Sequence, residues 1–264
     1  MHRWIAFLVL VCNLGVQAQV DTLNQVDPQG RKTGYWVYFR SDGQKVYEGM
    51  FKEGHPVGRF VRFHPDGQAS AILLYDSTGT RVDAKIFDSE GKPLASGTYV
   101  NQRKEGEWVF LSGQNLPLFR INYQSGLIHG DAWRYDMDGK PVEKTQWKYS
   151  TLDGVQIIFA PEGYIQASIQ YRKGQTDGLY KIFHPDGSDE VSGQYTEGIK
   201  TGDWTYFRSD GSVDYVLHYR KGKLLNHEIL DARQQKSFER YEKNRNMLKD
   251  PEDFLHHPED LIGR

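Results

Sequence analysis

Apolar and aromatic residues recur along this chain with a period of 24 residues. A glycine opens seven of eight consecutive segments, and the exception is Val82; the glycines are Gly34, Gly58, Gly106, Gly130, Gly154, Gly178 and Gly202. We number positions from this opening residue (position 0) and call the segments repeats one to eight. Position 17 is aromatic in every repeat, at Phe51, Tyr75, Tyr99, Tyr123, Trp147, Tyr171, Tyr195 and Tyr219. Such recurrence is typical of an array in which each repeat buries its apolar face against its neighbours.

Each repeat reads as a β-hairpin. In repeat one, two aromatic and β-branched runs flank the turn Ser41-Asp42-Gly43, as hairpins require. Glycine stands at this turn position in seven repeats and Asn115 in the fourth, and both residue types tolerate positive φ. The sequence therefore predicts an all-β fold over residues 34–225, an elongated single-layer antiparallel sheet of about eight 24-residue hairpins.

The two strands of a repeat differ in pattern. The second strand alternates apolar and polar residues, which predicts one buried and one solvated face, with the position-17 rings in the core. The first strand is apolar on both sides, so we predict an aromatic strip on the face opposite position 17, unless the tail or a loop covers it. This strip, which also carries arginines and suits peptides or sugars, supplies the candidate ligand-binding residues Trp36, Tyr38, Phe60, Arg62, Phe110, Arg134, Trp204 and Tyr206.

The pattern G-x-W-x-x-F-x-x-D-G followed by Y-x-x-G resembles the MORN-repeat variant of bacterial proteins, including those labelled YwqK-family antitoxins. The resemblance covers residues 34 to about 225 and implies stacked hairpins that serve as a binding or scaffolding surface, with no catalytic residues to transfer. Repeat three departs from the pattern at Val82 and Ala84, and repeat five at Ala132. We expect those positions to pack loosely or to bend the array.

The ends of the chain differ from the repeats. Residues 1–18 carry a short basic start and a nine-residue apolar run, which predicts a cleaved signal peptide with no membrane-spanning segment left after cleavage. The expected location is therefore periplasmic, extracellular or on the cell surface. Residues 19–33 read as a flexible leader, and residues 226–264 as a helical cap or tail. The helix is predicted either to cap the array or to bind a partner as a detachable element, and PEDFL (251–255) and PEDLI (258–262) follow it.

Composition and motifs exclude several functions. The net charge is −2 without a basic block, which argues against nucleic-acid binding. The one cysteine, Cys12, lies in the predicted signal, and no nucleophile-elbow or P-loop motif occurs. The turn carboxylates share one structural slot, and we predict no cofactor or metal site.

Three functional hypotheses remain after these exclusions. The first is an exported, non-catalytic repeat protein that binds another protein or acts as a scaffold in the cell envelope. The second is a carbohydrate-binding surface module, and the third is an enzyme with its site in repeat three or five. Self-association through the free sheet edge of repeat one is also expected.

Overall fold

The computed structural model describes residues 23–245 as nineteen strands and one helix, and the all-β prediction is confirmed together with the C-terminal helix. The predictions for residues 1–18 and 251–262 fall outside the described residues. The elements are β1 (Gln25–Val26), β2 (Lys32–Phe39), β3 (Lys45–Lys52), β4 (His55–Phe63), β5 (Ala69–Tyr75), β6 (Arg81–Phe87), β7 (Pro93–Val100), β8 (Arg103–Leu111), β9 (Pro117–Gln124), β10 (Leu127–Tyr135), β11 (Pro141–Lys148), β12 (Thr151–Leu152), β13 (Gly154–Phe159), β14 (Ile165–Arg172), β15 (Gln175–Phe183), β16 (Asp189–Thr196), β17 (Ile199–Phe207), β18 (Val213–Arg220), β19 (Lys223–Leu224) and α1 (Glu228–Arg245).

The chain divides into two compact parts after Gly91. In the first part, β1 to β6 pair in chain order, each strand antiparallel to the next. In the second part, β7 to β12 and β13 to β19 pair in the same way, and β11 pairs with both β12 and β13. The hairpin repeats predicted from the sequence are therefore present in both parts.

The turn inside each repeat is built as the sequence predicts. In repeat one, Gly43 has a φ of 84°, and the Asp42 carboxylate accepts a hydrogen bond from the Gln44 amide at 3.0 Å. Asn115 takes the glycine role in repeat four with a φ of 63°. Asp66, Asp186 and Asp210 accept the same backbone bond, so the turn aspartates of repeats one, two, seven and eight have a structural role.

The link between repeats explains the position-0 glycine and its one exception. Between β3 and β4 the chain turns at Glu53 and Gly54, both with positive φ, and the strand register then shifts at a bulge that includes Gly58. Between β5 and β6 there is no register shift. There the pair at position 17, Tyr75 with Val82, encloses six residues (76–81), whereas the corresponding pair of β3 and β4, Phe51 with Pro56, encloses four (52–55). The turn absorbs the two extra residues, so Val82 needs no positive φ.

Asparagine side chains bond to the strands at both ends of the repeats. The Val37 amide donates to the Asn24 side-chain oxygen at 2.8 Å, and β1 pairs with β2. Asn226 accepts from the His218 amide at 2.8 Å and donates to the Val216 carbonyl at 2.9 Å. The edge of repeat one, predicted to be free, is therefore covered from residue 32 to residue 37, and part of the predicted flexible leader forms β1.

The C-terminal helix packs little against the sheet. Arg233 bonds to Asp214 at 2.7 Å and lies 4.0 Å from the Tyr215 ring centre. All side chains from Asp231 to Lys243 are exposed, including Phe238 at 59%. In the described part of the helix these apolar side chains do not cover the end of the sheet, and the capping role stays a prediction.

Candidate binding face

The strand register places the rings at positions 2, 4, 13 and 17 of a repeat on one face. In repeat one, Trp36 lies opposite Gly49, and Tyr38 lies opposite Tyr47. The same ladder pairs position 0 with Phe51 at position 17, so positions 2, 4, 13, 15 and 17 share this side, which we call the ring face. The predicted opposite-face location of the first-strand rings is wrong. Alternation along a strand tells which of its side chains share a side. The bulge at the hairpin turn decides which side of the first strand lies on the same face as position 17 of the second strand.

The most buried rings lie against glycine on the neighbouring strand. Trp108 is 1% exposed and Trp204 is 2% exposed. A Cβ atom added to Gly97 would lie 2.3 Å from the Trp108 ring, and one added to Gly193 would lie equally close to Trp204. Each glycine at position 15 therefore provides the space into which the position-2 ring of the next repeat packs.

The residues at position 15 of one repeat and position 2 of the next form a pair of one small and one large side chain, and the large one is not always at position 2. Gly49 lies opposite Phe60, whereas Leu73 lies opposite Ala84 and Ile121 lies opposite Ala132. A large side chain on one strand thus pairs with a small one on the next, in either order. The departures at Ala84 and Ala132 are half of a size-complementary pair, and Ala84, 3% exposed, does not pack loosely.

Lysine side chains cover the tryptophans of repeats one, four and eight. The Lys104 ammonium lies 4.7 Å from the Trp108 ring centre and 4.9 Å from those of Phe110 and Tyr123. Lys32 and Lys200 lie over Trp36 and Trp204 in the same way. Burial lowers the pKa of Lys104 and of Lys200. The sequence contains the signal, Lys-x-Gly-x-Trp in these three repeats, but sequence reasoning missed it.

The predicted ligand-binding residues lie in rows at positions 2 and 4 of the ring face. Two of them, Phe60 and Trp204, are buried in the core, and Trp36 donates its indole N–H to the Gln25 carbonyl at 2.9 Å. Tyr38 is 49% exposed, Arg62 and Arg134 are exposed, and Phe110 and Tyr206 are half-buried. Ligand binding by these residues stays a prediction, and Arg134 borders a hollow.

This hollow lies on the ring face of repeat five and has a volume of about 170 Å³. Ala132 stands where repeats one, four and eight have tryptophan, and Ile128 stands where they have lysine. The missing ring and lysine leave space between apolar walls. The side chains that line it are Phe119, Ile121, Ile128, Trp147, Arg134 and Glu143.

A charged pair forms the lip of the hollow. The Arg134 side chain donates from Nε to the Glu143 carboxylate at 3.0 Å, and it is 51% exposed. Glu143 also accepts a hydrogen bond from the Gln156 amide, and Phe119 is 40% exposed. The site thus combines exposed aromatic and apolar surface with a cation and an anion held in fixed positions.

Two further observations concern membranes and metals. Within residues 23–245, no helix combines the length and apolar character that crossing a membrane requires. Over the same residues, no cluster of three or more His, Cys, Asp or Glu side chains is arranged to hold a metal ion.

The comparisons with known proteins assign no function to this chain. No protein-family model matches the sequence, and no curated protein shows significant similarity to it.

Proposed function

We propose that this protein is a non-catalytic repeat protein of the MORN-variant kind that binds another protein through its ring face. The hollow of repeat five carries this proposal. There, aromatic and apolar walls stay open beside an arginine, whereas repeats one, four and eight have their own tryptophan and lysine at these positions. Aromatic residues and arginine dominate the buried centres of protein interfaces.

The surroundings of the hollow favour a polypeptide ligand. A protein interface needs a pocket for an anchoring side chain and polar groups near it that bind the partner's backbone or charges. Trp147, Ile121 and Phe119 form the pocket, and the Arg134–Glu143 pair stands at its lip. The hairpins are a rigid support for this arrangement, because strands on both sides hold β10 and β11.

The place of action follows from the sequence alone. The signal peptide predicted at residues 1–18 would direct the chain out of the cytoplasm, where a protein-binding repeat array would serve as a scaffold in the cell envelope. Export also distinguishes this proposal from an antitoxin role, which would require the cytoplasm.

Site-specific photocrosslinking tests the proposal. A photoreactive phenylalanine analogue at position 119 should crosslink one stoichiometric protein in cells. The same analogue at Leu179, which is 50% exposed outside the hollow, serves as the control. The double variant I121G/A132W, which fills the hollow with a ring, should abolish the crosslink from position 119. A crosslink of equal yield from both positions, or one that survives the double variant, would refute binding at the hollow.

Carbohydrate binding is the second candidate, favoured by the size of the hollow. An apolar cavity of about 150 Å³ holds benzene, so a space of about 170 Å³ also has room for one sugar ring against Trp147. Glycan-array binding that is lost in Trp147→Ala and retained in Tyr38→Ala would support this candidate. Binding to no glycan would exclude it for the sugars tested.

A further inference from the structure

The chain itself shows what fits the hollow of repeat five. In repeats four and eight, the corresponding space holds the rings of Trp108 and Trp204, each beside a lysine. Repeat five has neither side chain, and its walls are Trp147, Ile121 and Phe119. The group that would complete this repeat is therefore one aromatic side chain. The cation at the lip, Arg134, favours carboxylates next to that ring.

The C-terminal segment of the chain has this chemistry. Residues 250–255 read Asp-Pro-Glu-Asp-Phe-Leu, so Phe254 directly follows two carboxylates. It is the only Phe, Tyr or Trp after Tyr241, and residues 250–262 contain five acidic residues and no lysine or arginine. These residues lie outside the described part of the chain, and their composition alone enters the argument. A ring flanked by acids is complementary to an apolar hollow with an arginine at its lip.

The helix that precedes this segment makes few contacts with its own sheet. It touches its own sheet through Arg233, which bonds to Asp214, and every side chain from Asp231 to Lys243 is exposed. A helix that packed along its own sheet would bury one face. The exposed face of the helix is free to contact another molecule, and about twelve residues of helix beyond Arg233 span roughly 18 Å.

We propose that the hollow of repeat five binds residues 250–255 of a second copy of this chain, with the partner's Phe254 in the hollow and the partner's Glu252 and Asp253 beside Arg134. The inference rests on the proposed function in one respect, namely that the hollow receives a polypeptide. The two surfaces in this contact are different, so association is head-to-tail. Such contacts produce rings, of which a reciprocal dimer is the smallest, or open chains of molecules.

The contact is expected to be weak. A single buried ring with one ion pair supports a dissociation constant on the order of 0.1–1 mM. The weight-average mass of the full chain, measured by sedimentation, should rise from that of one chain at about 10 µM to above two chains near 1 mM. High salt should weaken association, because the carboxylate–arginine attraction is screened.

Two variants and their mixture test the geometry. Phe254→Ala keeps the hollow but lacks the ring, and I121G/A132W keeps the ring but fills the hollow. Each variant alone should remain monomeric at all concentrations. A mixture should form dimers and nothing larger, because a single productive contact is possible between the two. Association of Phe254→Ala alone, or a wild-type chain that stays monomeric up to 1 mM, would overturn the proposal.

Matched controls separate folding from binding. L73G/A84W makes the same exchange in repeat three, where Ala84 is already buried, and should associate like the wild-type chain. Arg134→Glu should abolish association, and combining it with Asp253→Arg should restore it. A monomeric wild-type chain that still crosslinks another protein from position 119 would refute this inference and leave the proposed function standing. Association of the wild-type chain without a crosslink from position 119 to a different protein would refute the proposed function and leave this inference standing.

Discussion

Repeats four and five share the same 24-residue frame and the same hairpin, yet they use the ring face in opposite ways. In repeat four, Trp108 packs against Gly97 under the Lys104 ammonium and is 1% exposed. In repeat five, Ala132 lies opposite Ile121, and a hollow remains beside them. The frame therefore fixes where a side chain points, whereas repeat four fills this site with its own ring and repeat five leaves it open.

The difference teaches how such an array can carry a binding site without a change of backbone. Repeats with a ring and a covering lysine are closed by their own side chains and contribute stability. Repeat five, which has neither, keeps its strand pairing and has an opening. Function in this architecture is expected at the repeat that departs from the pattern in side-chain size. The following predictions test the distinction between closed repeats, which contribute stability, and the open repeat five.

The largest effect is expected from removing a ring in the closed repeat. Trp108→Ala should lower the free energy of unfolding by about 3–5 kcal/mol, because a fully buried ring leaves a cavity. Trp147→Ala, at the open hollow, should cost clearly less, since its ring is half-buried. Urea unfolding followed by circular dichroism measures both. Equal losses at the two sites would contradict the distinction between closed and open repeats.

The next largest effect is expected at Gly97, the glycine against which the Trp108 ring packs. Gly97→Ala should destabilise by about 1–3 kcal/mol, because the new methyl group overlaps the Trp108 ring. In the background of Trp108→Ala, the same change should cost far less. A double-mutant cycle of Gly97→Ala and Trp108→Ala measures the coupling between the two residues, and Ser96→Ala, next to Gly97 in the chain, is the control. Additive losses would show that Gly97 is required for another reason.

Repeat five should accept the side-chain pair of repeat four. Ala132→Trp alone should destabilise by about 1–3 kcal/mol, since Ile121 lies opposite it. Adding Ile121→Gly should recover at least about 1 kcal/mol, because the pair then matches Gly97 and Trp108. Thermal and urea unfolding of the three variants supply the comparison. If the double variant is less stable than both single variants, size complementarity does not govern this position.

The covering lysine should contribute less than the ring that it covers. Lys104→Met keeps an apolar stem over Trp108 and removes the ammonium, so it should cost about 0.5–1 kcal/mol. Lys148→Met, at an exposed position, should change the free energy of unfolding by less than about 0.5 kcal/mol. A stabilising effect of Lys104→Met would mean that the desolvation cost of the ammonium exceeds its attraction to the rings.

The smallest effect concerns pH at repeat eight, where Tyr206 and Tyr215 occupy the positions that Arg134 and Glu143 hold in repeat five. Their rings stack at 4.3 Å, and burial, with repulsion from a Tyr215 phenolate second, raises the pKa of Tyr206 to about 12. The unfolded chain loses this proton near pH 10, whereas the folded chain keeps it up to about pH 12. This contribution to stability is complete below pH 10 and is lost as the pH rises through 12.

Replacing the phenol checks this assignment. In Tyr206→Phe, the fall in stability between about pH 10 and pH 12 should be shallower than in the wild-type chain, and absorbance titration should lose one late-ionising phenolate. Tyr38→Phe, which removes an exposed phenol, provides the control. An unchanged titration curve in Tyr206→Phe would place the raised pKa elsewhere.

The sequence predicted much of the fold and part of the candidate site. The hairpin turns, the role of Asn115 and the buried second-strand positions such as Leu217 are present in the structure. Ala132 was singled out as a departure, and Arg134 as a candidate ligand-binding residue. The face of the first-strand rings was predicted wrongly, and the covered edge at Asn24 was missed, because both depend on how strands come together.

The amino-acid sequence by itself determined the hairpins and their spacing, because turn chemistry and strand alternation act over a few residues. Only the tertiary structure decided which rings share a face, which tryptophans are covered by lysine, and where a hollow remains open. Those features arise from contacts between neighbouring strands, and a bulge of one or two residues changes which side chains meet.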